Sequence, residues 1–269
     1  KIKISDICKI TRGASPRPIN DWMSDSNLGI PWIKISDATS INSRYITKTN
    51  TFIKKNAKNM SVEVFDGDLI LSNSATPGLP KFVKINACIH DGWLLLRDIQ
   101  INKLFFYYLL INERKKIVVQ GSGTVFTNLK TDILKNHIVT IPNSNSQKAI
   151  ANILGTLDDK IELNQKINQN LEDIAKAIFK SWFIDFDPVK AKAEGRPTGL
   201  SQEISDLFPD SFEDSELGEI PKGWRKGVLN DIVLRSKEKI GNMESKVLSA
   251  ITTGELVLSD EYFSKKVYS

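Results

Sequence analysis

One proline-free stretch limits the fold of this chain more than any other part. It runs from Ser146 or Gln147 to about Asp185 and contains a single glycine, Gly155. Read as heptads that begin at Ile150, its a positions are Ile150, Leu157, Asn164, Leu171 and Ile178, and its d positions are Ile153, Lys160, Ile167, Ile174 and Ser181. This spacing predicts one long helix over residues 146–187, roughly 60 Å in length at about 1.5 Å per residue.

The apolar side chains of this helix predict that it packs against a second helix. The d positions drift toward Leu154, Ile161, Ala175 and Trp182, which is typical of a fairly straight helix rather than a strict coiled coil. A lone helix with so wide an apolar stripe would be unstable in water. We predict a pairing face made of Ile150, Leu157, Asn164, Leu171 and Ile178. Asn164 either meets a polar partner and fixes the register, or faces solvent.

A weak internal repeat divides the rest of the chain. Residues 4–10 are echoed by residues 229–235, and residues 31–36 and 45–48 resemble residues 246–251 and 262–265. The second copy has only the 41 residues from 229 to 269, which are too few to close a core of their own. We therefore interpret it as the truncated start of a second domain.

The predicted fold class is α+β, in four parts. Residues 1–142 form one domain of mixed short strands and helices, residues 146–187 form the long helix, residues 188–223 form a linker, and residues 224–269 form the truncated repeat. Prolines and glycines in the linker are expected to break any helix, and its acidic residues to keep it solvated. Within the first domain, the sequence predicts strands at 31–35, 68–71, 81–85 and 92–96, a helix from 103 to about 116, and loops at 13–18, 74–80 and 121–124.

The positive charge of the chain is concentrated in the first domain. Residues 1–142 carry 20 Lys and Arg against 11 Asp and Glu, a balance of +9, whereas the whole chain carries only +5. Cationic surface on one domain favours a phosphate-rich partner, because each Lys or Arg placed against a phosphate releases condensed counterions. An even scatter of solvated lysines is the alternative explanation.

Several classes of protein are disfavoured by what the sequence lacks. No apolar run approaches the roughly 20 residues that span a bilayer, and no secretion signal is present, so we expect a cytoplasmic protein without a membrane partner. Cys8 and Cys88 are predicted to be buried thiols, and His90 and His137 have no metal-ligand spacing. The segment 121–124 could be mistaken for a nucleotide loop but lacks the following Lys. The sequence thus predicts no catalytic residues and no metal site.

Several strings in the sequence resemble the conserved helix of type I restriction-modification specificity subunits. They are residues 141–142, 147–151, 153–154, 157–161, 171–177, 179–183 and 185–186. Residues 218–224, Gly-Glu-Ile-Pro-Lys-Gly-Trp, resemble the start of that family's second target recognition domain. The resemblance implies two such domains separated by two antiparallel helices, with each domain reading half of a split DNA sequence. This chain departs from the pattern because it has one complete domain, one helix and a stub.

The resemblance also implies the partners and cofactors. Two methyltransferase subunits would dock alongside, with S-adenosylmethionine held by them, and a restriction subunit would bring ATP and Mg²⁺. None of these cofactors is expected on this chain. Two copies of the chain could pair their helices antiparallel, each supplying the partner that the other lacks, and such a two-fold dimer would read an inverted repeat in double-stranded DNA.

The residues expected to contact DNA lie in loops of the first domain. Phosphates attract Lys and Arg, and base edges are read by side chains that form paired hydrogen bonds. The candidates are Arg12, Ser15, Arg17, Lys34, Asp37, Ser72, Asn73, Thr76, Lys81, Ser122, Thr124 and Asn128.

Two other functions stay open from the sequence. The truncated repeat also fits a scaffold or competitive inhibitor that occupies methyltransferase subunits, although the basic first domain disfavours it. Alternatively, the chain is the DNA-recognition fragment of a type II fusion enzyme whose catalytic domain lies elsewhere.

Overall fold

The computed structural model describes residues 1–25, 28–120, 128–216 and 218–233, together with the backbone of two short strands further on. The chain divides into two compact units, Lys1–Lys176 and Ala177–Ser269. Among the described residues, no helix is long and apolar enough to cross a bilayer. The mixture of small sheets and a long helix confirms the predicted α+β class.

The described residues of the first unit form twelve short strands. They are β1 Ile2–Lys3, β2 Lys9–Arg12, β3 Met23–Ser24, β4 Ile30–Ile33, β5 Tyr45–Ile46, β6 Phe52–Ile53, β7 Val62–Val64, β8 Leu69–Ser72, β9 Pro80–Val83, β10 Ala87–Ile89, β11 Trp93–Arg97 and β12 Ile138–Val139. The α-helices in the described part of the chain are α1 Ile35–Thr39, α2 Lys103–Gln120, α3 Thr131–Asn136, α4 Ser144–Phe183, α5 Asp187–Ala193 and α6 Gln202–Ser205. The described strands of the second unit are β13 Phe212–Ser215, β14 Gly218–Pro221, β15 Leu248–Ala250 and β16 Leu256–Leu258.

Two five-stranded sheets form the body of the first unit. Their strand orders are β3-β6-β4-β10-β7 and β2-β11-β8-β9-β5, and a small β1-β12 pair lies beside them. The strands β8, β9 and β11 of the second sheet are buried on both faces, which explains why β8 and β11 read as continuous apolar runs. Leu69 and Leu71 pack in one apolar cluster with Phe106 of α2. Ile70, between them in the chain, faces a second cluster on the opposite side of the sheet.

The predicted strands and helix of this unit are found close to their expected positions. The helix predicted to end near residue 116 extends to Gln120. The strand predicted at 31–35 stops at Ile33, because Asp37 accepts a hydrogen bond from the Lys34 amide at 2.8 Å and begins α1 there. The side chain of Asp37 thus ends one element and starts the next.

The long helix is confirmed, with two corrections at its ends. The helix begins at Ser144 rather than 146, and Asn143 caps its start, since Asn143 Oδ1 accepts from the Ser146 amide at 2.9 Å. The helix stops at Phe183 rather than 187, and Phe186 adopts a left-handed backbone with φ of 55°. The last turn closes when the Asp185 amide donates to the Lys180 carbonyl at 2.8 Å.

The prediction that the linker 188–223 breaks any helix is wrong. It contains α5, α6 and the β13-β14 hairpin. Pro188 lies in the first turn of α5, where no backbone N–H is needed. Aromatic rings also order the segment: Trp182 packs edge-on against Phe208 at 5.7 Å between ring centroids, and Phe183 stacks with Trp224 at 6.1 Å. The four-part division of the chain itself stays a prediction.

The internal repeat reappears as one local turn in each unit. A 3-10 turn at Ile4–Asp6 is capped by Asp6, and a 3-10 turn at Leu229–Asp231 is capped by Asp231, which accepts from the Val228 amide at 2.9 Å. Ile4 is fully buried, whereas its counterpart Leu229 is 75% exposed. Among the residues that the structure describes, the second turn therefore lacks the apolar layer that covers the first.

Candidate functional site

Three chain segments meet at one end of the β2-β11-β8 strands. Because β11 is antiparallel to both neighbours, the end of β2, the start of β11 and the end of β8 lie side by side, with Leu94 opposite Arg12 and Trp93 opposite Ser72. The segments that follow or precede these strand ends are 13–18, 73–79 and 90–92. Loops far apart in sequence are thereby gathered on a buried sheet.

Asp91 is the centre of this gathering. Its carboxylate accepts from Ser15 Oγ at 2.5 Å and lies 3.5 Å from Arg17 Nη2. Its backbone oxygen accepts from Arg12 Nε at 3.0 Å and from Asn73 Nδ2 at 2.9 Å. We call Arg12, Ser15, Arg17, Asn73 and Asp91 the Asp91 cluster. Four of its five members were predicted from the sequence.

The electrostatics of the cluster leave two groups available to a ligand. The hydroxyl of Ser15 lowers the pKa of Asp91, so this carboxylate is ionised at neutral pH. The Arg17 side chain is 80% exposed and makes one long contact with Asp91, which is a weak surface ion pair. Its guanidinium can exchange that contact for another anion or for a hydrogen-bond acceptor at little cost.

Two glycines allow the segments to approach each other. An ideal Cβ on Gly13 would lie 2.0 Å from the His90 carbonyl oxygen, and one on Gly92 would lie 2.2 Å from His90 Cε1. Any other residue at position 13 would push the end of β2 away from the turn that carries Asp91.

A cavity of about 510 Å³ opens beside the cluster. It is lined by residues 15–19 and by Trp32, His90 and Asp91, and the Arg17–Pro18 peptide bond in its wall is cis. Burial lowers the pKa of His90, so the imidazole there is neutral at pH 7. The cavity combines a neutral aromatic wall with a carboxylate and an arginine.

Three of the predicted contact residues are buried and have structural roles instead. Ser72 donates to the Thr76 carbonyl, and Asn73 donates to Asp91 inside the cluster. Lys81 Nζ donates to the carbonyls of Ile41, at 3.0 Å, and Ser43. All three side chains are 5% exposed or less. The prediction that they touch DNA directly is therefore wrong in this structure, because their polar atoms are used within the fold.

The remaining candidates are placed as follows. Lys34 and Asp37 are half-buried, and Asp37 is engaged by the Lys34 amide and by Thr49 Oγ1, each at 2.8 Å. Thr76 is half-buried and Asn128 is exposed. Ser122 and Thr124, with the loop predicted at 121–124, lie outside the described residues. None of these side chains is hydrogen-bonded to Asp91 among the contacts described.

Sequence reasoning missed Asp91 itself, and also Arg114. Asp91 is an acidic residue in the His-Asp-Gly turn between two apolar strands, and that position was the available signal. Arg114 Nε donates to the Pro77 carbonyl at 3.0 Å, so α2 holds the loop that follows β8. Nothing in the sequence pattern of α2 marked this contact.

Replacing Ser15 with Ala should raise the pKa of Asp91 toward its ordinary value. An aspartate with a lowered pKa stabilises the fold above the pKa of the unfolded chain, and this contribution is lost as the pH falls through the folded pKa. The stability deficit of Ser15→Ala should therefore be present at pH 7 and narrow on acidification, as carboxyl NMR titration and denaturant unfolding would measure. Ser61→Ala is the matched control, since Ser61 donates to the Ala14 and Ile89 carbonyls instead. Equal Asp91 pKa values in wild type and Ser15→Ala would contradict this account.

The second candidate surface is the outer face of α4. Leu157, Leu171 and Ile178 are 53%, 58% and 43% exposed, and Asn164 between them is exposed as well. The predicted pairing residues are thus exposed to solvent along one stripe of the helix, together with Ile167 and Ile174. Such an extended apolar surface marks an interaction site. Among the described residues, no group of His, Cys, Asp and Glu could hold a metal ion.

Comparison with known proteins gives one family. Residues 1–173 match the family described as the type I restriction modification DNA specificity domain. The chain is 30% identical over 238 residues to the type I restriction enzyme MjaIX specificity subunit of Methanocaldococcus jannaschii, which covers 86% of this chain and 50% of that protein. It is 41% identical over 113 residues to the HindI specificity subunit of Haemophilus influenzae, which covers 41% of this chain and 25% of that protein.

A solved structure shares the fold. The type I restriction-modification system S subunit from M. genitalium aligns with a TM-score of 0.51 at 17% identity, covering 72% of this chain and 48% of that chain. This chain spans half, or less, of the length of the curated relatives named above.

Proposed function

Because this chain belongs to the type I restriction modification DNA specificity domain family, we propose that it is the DNA-recognition component of a type I restriction-modification complex. The Asp91 cluster is the observation that supports this most directly. It presents an exposed arginine and an ionised carboxylate side by side on a buried sheet, at the edge of the domain that carries the excess of positive charge.

The chemistry of the cluster suits base reading in a groove. An arginine donates to guanine, and a carboxylate accepts from the exocyclic amine of cytosine. Arg12 and the other cations of the first domain would then engage phosphates, which positions the protein without selecting sequence. One recognition domain of this size reads one half-site.

The exposed stripe of α4 is proposed to complete the complex. Two copies would pair these helices and present two recognition domains with two-fold symmetry to an inverted repeat. Methyltransferase subunits would dock on this assembly and a restriction subunit would join it. S-adenosylmethionine, ATP and Mg²⁺ would be bound by those partners, and this chain would carry no catalytic residue.

The first experiment measures the mass of the complex that the chain forms with its methyltransferase subunit, followed by methylation mapping of DNA exposed to it. We expect two recognition chains per complex and a palindromic methylated sequence. One recognition chain per complex, or no methylation, would instead favour the scaffold, inhibitor or fragment alternatives.

Replacing Arg17 with Ala should weaken DNA binding by about tenfold while the fold stays intact, in line with the roughly 1–3 kcal/mol that an arginine at a base edge contributes. If Arg17 reads a base, sequence preference relaxes at one position. If it contacts a phosphate, the steepness of the plot of log binding constant against log salt concentration falls by about one. Arg196→Ala is the control, because Arg196 pairs with Glu194 in the second unit. Unchanged affinity and unchanged preference for Arg17→Ala would remove Arg17 from the proposed site.

A further inference from the structure

Helix α4 is attached to the recognition domain by its polar and small residues, not by its apolar stripe. Gln147, Ala151 and Gly155 are buried along one face of the helix. Gln147 accepts from the Asn102 amide at 3.1 Å and donates to the Pro142 carbonyl at 2.9 Å. An ideal Cβ on Gly155 would lie 2.9 Å from Leu104 Cδ2, so the Leu104 side chain packs directly against the backbone of α4 there.

One turn further on, this face meets a buried arginine. The Arg44 side chain is 5% exposed, and its guanidinium donates to the Asp159 carboxylate and, at 3.4 Å, to the Gly155 carbonyl. Its Nε lies 3.6 Å from Glu162 Oε1. The Arg44 side chain therefore contacts α4 at residues 155, 159 and 162, which lie about one helical turn apart on the same face of the helix.

Two further groups of the domain grip the same part of the helix. Ser43 Oγ donates to Glu162 Oε1 at 3.1 Å, and Tyr108 of α2 donates its hydroxyl proton to Asp158 Oδ2 at 2.8 Å. Contacts from separate elements of the domain, at separate points on the helix, constrain both rotation and tilt. We call Arg44, Tyr108, Asp158, Asp159 and Glu162 the Arg44 latch.

A continuous sheet joins the latch to the Asp91 cluster. Arg44 precedes β5, and β5, β9, β8 and β11 follow one another in the sheet whose far end carries the cluster. Lys81 of β9 supports the Arg44 latch. Its buried ammonium donates hydrogen bonds to the carbonyls of Ile41 and Ser43, which come just before Arg44 in the chain. A change in the latch would thus be transmitted to the loops as a rotation of the whole domain on the helix.

We propose that the Arg44 latch sets the angle at which the recognition loops are presented from α4, and thereby selects the number of base pairs between two half-sites. Arg44 is a positioning residue in this proposal, which rests on the proposed function. Each added base pair moves a half-site by about 3.4 Å and rotates it by roughly 34° about the DNA axis. A domain held at one angle cannot follow that displacement without twisting the DNA.

The test is selection of DNA from a library in which both half-sites and the spacer length vary, using the full chain in its methyltransferase complex. Wild type should prefer one spacer by about tenfold over spacers one base pair longer or shorter. Arg44→Met, which keeps the length of the side chain and removes its donors, should reduce that preference to about twofold with half-site sequences unchanged. Asp159→Asn combined with Glu162→Gln should have the same effect from the helix side.

The matched control is Lys166→Met, which removes an exposed charge from the same helix outside the latch. It should retain the spacer preference of wild type. If Arg44→Met does not fold, the Asp159→Asn, Glu162→Gln variant alone decides the outcome, because both amides keep the size and an acceptor oxygen of the carboxylates they replace, at side chains that are 67% and 24% exposed.

The possible results are distinguishable. Unchanged spacer preference in the latch variants that fold overturns the latch proposal and leaves the proposed function standing. Loss of half-site preference together with spacer preference also overturns it, because the latch would then support the loops themselves. If wild type selects no DNA sequence at all, the result contradicts the proposed function, and with it the latch proposal that rests on it.

Discussion

The double variant Ile167→Asp, Leu171→Asp should lose the self-association proposed for the chain. Ile167 and Leu171 are 44% and 58% exposed on the outer stripe of α4, and in the proposed helix pair they would be covered by the partner's stripe. A carboxylate in an apolar contact costs roughly 2 kcal/mol or more, and two-fold symmetry doubles the number of such sites. The dissociation constant should therefore rise by more than about a thousandfold. Equilibrium sedimentation at micromolar concentration measures it.

Gln165→Asp is the matched control for this result. Gln165 is exposed on α4 but outside the pairing stripe, so the same new charge should leave association unchanged. Circular dichroism should show α4 intact in both proteins. A double variant that associates as tightly as wild type would show that the stripe binds something other than a second copy.

Replacing Gly13 with Ala should destabilise the recognition domain and abolish sequence preference. The new methyl group would lie 2.0 Å from the His90 carbonyl oxygen, whereas real Cβ contacts are essentially never shorter than 3.0 Å. Because the obstacle is backbone, β2 and the Asp91 turn must separate. That movement stretches the hydrogen bonds from the Gly13 amide to Trp93 and from the Ala14 amide to Ile89, at 2.8 and 3.2 Å. We expect the free energy of unfolding to fall by roughly 3 kcal/mol or more, which corresponds to a decrease of about 6–12 °C in melting temperature.

Gly67→Ala separates this effect from ordinary glycine strain. Gly67 has a φ of +88° but nothing within 4 Å of an added Cβ. Its replacement should cost only about 1–2 kcal/mol of backbone strain and leave DNA recognition unchanged. Calorimetry and DNA selection on both variants distinguish the two glycines. If Gly13→Ala were as mild as Gly67→Ala, the close approach of β2 and the Asp91 turn would not be required.

The elements with strong periodicity were predictable, and those that depend on tertiary partners were not. The apolar spacing from Ile150 onward fixed α4, and the family resemblance read from the same residues was confirmed. The ends of α4 were not predicted correctly, because the cap of a helix depends on a single side chain, here that of Asn143 at the start. In residues 188–223, proline and glycine content argued against helices. Apolar residues of that segment, such as Phe208, are nevertheless buried, and this tertiary packing outweighed local propensity.

The candidate site was only partly predictable, because sequence shows which side chains are polar and not where their hydrogen bonds go. The sequence predicts Arg12, Ser15 and Arg17 as contact residues, and the structure brings them together around Asp91, which the sequence does not single out. Ser72 and Lys81 are predicted as contact residues on the same grounds, but in the structure both donate to backbone carbonyls within the fold. A buried lysine whose ammonium meets two carbonyls has the same appearance in sequence as a surface lysine.

Burial of the β11, β8 and β9 strands on both faces has a consequence for how this protein tolerates mutation. Folding stability resides in the two apolar layers, whereas the side chains of Ser15, Arg17 and Asp91 belong to neither of them. Substitutions at these three residues therefore leave most of the folding stability of the domain unchanged, provided that Gly13 and Gly92 keep the segments together. The side chains that face a ligand can thus change by mutation while the sheet that supports them stays the same.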